Sequence, residues 1–327
     1  MMALLSRTAE HLYWLGRHVE RVESVARIVR EHTHLLVDVP IDVESDWSAL
    51  LAITGTRGLF DRNGGRDDET GIVAFLMSDI DNPGSIVRSL LSARENLRVS
   101  RQIVPGPAWE CLNRLHITVA SDVILCGVRS RRLALCRRIT DSCQHFAGIL
   151  AGTMSRDHAF AFYELGRNIE RADMTTRVLD VRAGSLMTGS GGATEPADRS
   201  PFEDVRWLGV LRSTSGEQMY HRSTAAPVEG DTVLEFLVHD PHFPHSIAHS
   251  VAEVRHWLDV LPDRPDPQRA CERVIDVLGA RLPRAMPAVR LHEHMDRIQA
   301  ALGAVHSAIS ATFFVTGHRA LASSDAG

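Results

Sequence analysis

Leu12, Leu15, Val19, Val22, Ala26 and Val29 recur at spacings of three and four residues. Positions spaced this way line one side of a 3.6-residue helix, so the pattern predicts an amphipathic helix that ends before Pro40. Phe162, Leu165, Ile169, Ala172 and Leu179 draw a second stripe of the same kind. Ile86, Leu90, Ala93 and Leu97 draw a third, and the preceding Asp81-Asn82-Pro83 predicts a helix that starts at Pro83 and is capped by Asp81 and Asn82. Pro244 marks a similar start. The Val-Pro-Gly-Pro stretch at 104–107 breaks the chain, and further helices are expected over about 108–126, 130–152 and 288–314. The period-two alternation that marks a half-buried strand is essentially missing. The expected fold is all-α, a helical bundle of about ten helices.

The stripes come in pairs. Residues 11–29 and 161–179 are identical at seven of nineteen positions, among them Leu15-Gly16-Arg17 and Leu165-Gly166-Arg167 at an offset of 150. The segments starting at Phe75 and Phe236 match at an offset of 161, through Asp79/Asp240, Pro83/Pro244, Ser85/Ser246, Ser89/Ser250 and Arg94/Arg255. Trp47 and Trp207 match at 160. The extra ten residues fall between about 179 and 207, where a Gly/Ser/Pro-rich run predicts a flexible inserted loop over 184–201. Three collinear matches imply two tandem homologous halves, 1–152 and 153–320, related by pseudo-two-fold symmetry and forming one compact unit.

Beside the first stripe lie Tyr13, Arg17, Glu20, Ser24 and Arg27, again three and four apart, with Arg21 adjoining. Their counterparts are Tyr163, Arg167, Glu170, Arg171 and Arg177. Gly16 and Gly166 each cost about 1 kcal/mol of helix propensity relative to alanine, which suggests that another backbone passes close by. Two readings of this face stand side by side. In one, Arg17 or Arg21 pairs with Glu170 and Arg167 or Arg171 pairs with Glu20, so that a duplicated ion-pair network fixes how the halves dock. In the other, the same groups line a polar cleft in which the arginines hold an anion and Glu20 or Glu170 acts as a catalytic base.

Composition narrows the classes. A net charge of −5 over 327 residues gives no basic footprint for nucleic acid. All 36 basic residues are arginine, so every side-chain cation of this kind is a planar fork suited to carboxylate or phosphate. The five cysteines are odd in number and contain no Cys-x-x-Cys, which fits reduced thiols in the cytoplasm. No apolar run approaches the roughly 20 residues of a membrane span. His239, His242, His245 and His249 are close in sequence, but Ser78, Asp81, Gly84 and Arg88 occupy the matched positions of the first half. No carboxylate or cysteine completes a ligand pattern, so no metal is expected. Phosphate-loop, dinucleotide and nucleophile-elbow motifs are missing, so no cofactor is expected either.

The stretch SRTAEHLYWLGRHVERVESVARIV, with Glu20-Arg21, resembles the opening of the bacterial alpha-E domain family, and DNPGSIVRSLLSARENLR resembles its second signature. The likeness covers nearly all of the chain. It implies a helical domain encoded beside, and sometimes fused to, circularly permuted ATP-grasp ligases and transglutaminase-like peptidases. A site on the second signature would draw on Asp79, Ser85, Arg94, Glu95, Asn96 and Arg98; the second half carries His256 and Trp257 where the first has Glu95 and Asn96. The leading expectation is a non-catalytic accessory protein that helps such a ligase make or modify an amide-linked peptide. The alternatives are an enzyme that uses the Glu/Arg cluster on amide bonds, and a purely structural scaffold.

Overall fold

The computed structural model describes residues 6–38, 47–188, 203–224, 226–262, 264–280, 283 and 286–314. Among them every regular element is helical, so the fold is all-α. The first half holds α1 (Ser6–Asp38), α2 (Ser48–Ile53), α3 (Arg57–Arg62), α4 (Glu69–Met77), α5 (Ile86–Val99), α6 (Gly106–Asp122) and α7 (Arg129–Thr153). The second holds α8 (His158–Thr188), α9 (Glu203–Ser213), α10 (Glu217–Ser223), α11 (Gly230–His239), α12 (Ile247–Val260), α13 (Pro265–Leu278) and α14 (Ala288–Phe313). Among the described residues, fourteen α-helices stand where about ten helices were expected. The additional ones include α2, α3 and α10, of six or seven residues each, which are too short to draw a periodic stripe. Of the expected loop at 184–201, residues 184–188 continue α8, and the rest lies outside the described residues.

α1 and α8 are the axis of the molecule and share its most extensive interface. At 33 and 31 residues they run about 50 and 46 Å. α5 and α7 pack on α1, and α12 and α14 pack on α8. The two long helices cross at their glycines. A Cβ on Gly16 would lie 2.1 Å from the carbonyl oxygen of Tyr163, and one on Gly166 would lie 1.9 Å from that of Tyr13. Only hydrogen fits at either position, so the helices approach backbone to backbone.

The two signature helices start later than Pro83 and Pro244. α5 starts at Ile86, capped by Ser85, whose hydroxyl accepts from the Arg88 amide at 3.1 Å. α12 starts at Ile247, capped by Ser246, which accepts from the His249 amide at 3.0 Å. Asn82 is occupied elsewhere: its amide nitrogen donates to the Phe75 carbonyl, and its oxygen accepts from the Gly84 amide. Each capping hydroxyl also donates backward, Ser85 to the carbonyl of Asp79 and Ser246 to that of Asp240. The prolines therefore shape a folded-back loop, and the serines open the helices.

Candidate functional site

The glycine crossing brings the flanking charged residues of α1 and α8 face to face. Glu170 receives Arg17 Nε at 2.7 Å and the Arg21 fork at 2.6 and 2.9 Å. Glu20 receives the Arg171 fork at 3.1 and 2.8 Å. Arg167 and Arg27 stand 3.5 and 3.6 Å from the same carboxylate. Each Glu-Arg pair thus reaches across to the other helix. Both carboxylates are sealed, with 1 % of either side chain exposed.

Electrostatics follow from this enclosure. Burial alone would raise the Glu170 carboxyl, but Arg21 and Arg17 outweigh it and hold it down at about 2. Burial opposes ionisation of Glu20 as well, and Arg171, Arg167 and Arg27 together still hold it below the usual carboxylate range. Both acids are anions at neutral pH. Tyr13 is fully buried and its hydroxyl meets His306 Nδ1 at 2.8 Å; burial pushes the phenol up to about 12. The Tyr163 hydroxyl is buried without a hydrogen-bond partner, and burial raises its pKa as well.

The two clusters are closed differently. Against Glu20 lies His245, from the loop before α12, with its Nδ1 3.9 Å from the carboxylate and its Nε2 3.3 Å from Arg27 Nη1. Burial, followed by Arg171, Arg27 and Arg167, drives this imidazole well below its ordinary value, so it stays neutral. Thr175 fixes the same loop by donating to the His245 carbonyl. Arg27 also meets Glu23 at 2.9 Å. Its counterpart Arg177 makes the matching pair with Asp173, also at 2.9 Å and four residues back on its own helix.

The other sequence-predicted residues scatter. Asp79 and Ser85 serve the α5 cap. Arg94 turns toward α6, donating to Asn113 at 2.8 Å and lying over the Trp109 ring. Asn96 meets His11 Nδ1 at 3.1 Å across the gap between α5 and α1. That gap is a groove of about 610 Å³, with Glu10, Trp14 and His18 on the α1 side and Arg88, Leu91 and Glu95 on the α5 side. His18 stacks on Trp14 at 5.5 Å between centroids. Burial, together with Arg21, Arg17 and Arg88, brings its pKa to about 4.

In the histidine run before α12, His245 turns to Glu20, and His249 Nδ1 meets the Pro241 carbonyl at 3.0 Å. A grouping missed by the sequence reading joins α8 to α14. His292 Nδ1 meets Asp180 at 2.5 Å, and its Nε2 lies 3.6 Å from Asp296. These atoms are close enough to share a cation, but only the Nε2 side, with Asp296, can form an ordinary ligand pair. Asp180 occupies the orienting position behind the ring. Also unforeseen is Arg132, fully buried in the first half, which binds Glu69 at 2.5 Å and Thr33 at 3.0 Å. Among the described residues no helix is long and apolar enough to cross a membrane.

Comparison with known proteins gives the family. An uncharacterized protein of Mycobacterium bovis and two of Mycobacterium tuberculosis strains are 23% identical to the chain over 331 residues. The match covers 94% of the chain but 35% of each relative, so the chain spans about a third of their length. No solved structure matches. The model of the Alpha-E family, a predicted alpha-helical domain with a conserved ER motif, matches residues 4–314. With Glu20-Arg21 and Glu170-Arg171 flanking the crossing of its two longest helices, the chain belongs to the Alpha-E family.

Proposed function

We propose that the chain is a helical accessory protein that works beside an ATP-grasp-type ligase, together with a transglutaminase-like peptidase, to make or modify an amide-linked peptide. The observation that carries this reading is the enclosure of Glu20 and Glu170. A general base needs its carboxylate within hydrogen-bond reach of a substrate proton. Here each carboxylate is sealed and already bridged by arginines of the opposite helix, so the Glu-Arg motif joins α1 to α8. The outer surface is left for a partner and a cargo. In the mycobacterial relatives the similar segment is 35% of a longer polypeptide, so there it works as one part of a larger protein. The reciprocal pairing also supports the two halves as copies of one ancestral unit.

The test is co-purification of the tagged chain with a circularly permuted ATP-grasp ligase from the same genome, followed by an assay of the ligase product. The accessory reading expects co-elution, a product yield that depends on the chain, and no change in either with Glu170→Gln in folded protein. It is overturned if the ligase elutes alone and makes equal product without the chain. Loss of product with Glu170→Gln, in a protein still folded and ligase-bound, would establish the enzyme reading instead.

A further inference from the structure

α1 and α5 run antiparallel along their shared groove, since His11 meets Asn96 while His18 lies in the field of Arg88. Charge is sorted along it. Glu10 and Glu95 stand at the His11–Asn96 end. Arg88 stands at the His18 end. Between the two ends lie the partly exposed Trp14 and Leu91. His11 and His18 are seven residues apart on one helix, so the acidic and basic ends are separated by about 10 Å.

We propose that this groove binds a short peptide with free termini, about three residues long and extended, its α-ammonium between Glu10 and Glu95 and its α-carboxylate on Arg88. An extended chain spans about 3.3–3.6 Å per residue, so three residues match the separation. Arg88 is exposed and has no ion-pair partner among the described residues, whereas Arg17 and Arg21 are committed to Glu170. Glu95 pairs with Arg98, but both are about half exposed, and such a surface pair is weak enough to yield to a ligand. The middle of the groove supplies a flat aromatic and a leucine for a central side chain. His18 Nδ1 is buried without a hydrogen-bond partner, so the wall holds unspent hydrogen-bonding capacity. The charge order excludes other classes. A polyanion would meet Glu10 and Glu95, and a polycation would meet Arg88. The comparable groove at the far end of α1, about 650 Å³, lacks this order, because its Arg30 pairs with Glu31 and its Arg212 with Glu217.

The inference deepens the accessory reading and rests on it only for the peptide's role; the binding itself needs no ligase. The experiment titrates Ala-Leu-Ala and Ala-Phe-Ala into the full chain by calorimetry and tryptophan fluorescence. Each peptide is used free, N-acetylated, C-amidated and blocked at both ends. The free peptides are expected to bind, and blocking either end should weaken binding about tenfold or more, as loss of a charge-assisted contact does. Arg88→Ala, on the exposed side of α5, should reproduce the loss and bind free and C-amidated peptides equally. Equal binding of free and doubly blocked peptides, or no binding at millimolar concentration, overturns the proposal. Co-purification with the ligase but no peptide binding removes the groove assignment alone. Binding without co-purification removes the accessory reading alone.

Discussion

Glu170 is an anion with almost no access to water. A buried carboxylate survives as an anion only where cations and donors replace its hydration, and two arginine side chains do so here. Replacing Glu170 by Gln leaves Arg17 and Arg21 facing a neutral amide in the same enclosure. The expected cost is about 3–5 kcal/mol, read as a melting temperature lower by roughly 5–10 °C. The pH dependence has a definite sign. The carboxyl titrates near 2 in the fold and near its ordinary 4.5 when unfolded, so its contribution is complete above about pH 4.5 and disappears as pH falls toward 2. Urea midpoints at pH 5 and pH 3 should therefore differ less in Glu170→Gln than in the parent; an equal difference in both would remove Glu170 from the acid response. At this scale the sequence was informative where the repeat supplied a partner. Arg17 and Arg21 on Glu170, and Arg171 on Glu20, follow from two like helices facing each other. Tyr13 with His306 does not, because the partners are 293 positions apart and carry no pattern in common.

At the scale of elements, the glycines decide how near α1 and α8 come. In isolation each glycine weakens its helix, yet a Cβ in its place would collide with a carbonyl oxygen of the other backbone. Gly16→Ala should force the helices apart and pull the arginine forks off their carboxylates. We expect a loss of about 3 kcal/mol or more, and the double variant Gly16→Ala/Gly166→Ala should cost less than the sum of its parts, since one separation relieves both collisions. Thermal melts of the single and double variants test this, and strict additivity would mean that the two contacts are independent. Helix ends were less legible than helix faces. Pro83 suits a first helical turn, but the serine hydroxyl two residues on offers its oxygen to the Arg88 amide and delays the start to Ile86. The short helices α2, α3 and α10 escaped the periodic reading because six or seven residues, fewer than two turns, cannot display a stripe.

At the scale of the molecule, the first half draws part of its packing and charge pairing from the second. Its central helix α1 meets its most extensive partner, α8, from the second half, and Arg17 and Arg21 have their carboxylate there. A fragment of residues 1–152 should therefore lack a cooperative melt by circular dichroism. Mixing it with 153–327 should restore the transition. A cooperative transition of 1–152 alone would show that the crossing is dispensable for folding.

The sequence by itself determined that the fold is all-α and where the long helices lie, and it offered the pairing of the α1 and α8 charges as one of two readings. These follow from local periodicity and from the internal match, both of which are properties of the chain as written. Only the tertiary structure decided that Glu20 and Glu170 are sealed, that His245 closes the first of them, and that α1 and α5 leave a charge-sorted groove between them. Burial and the width of a groove depend on how elements distant in sequence pack, and residue spacing within an element does not encode that distance.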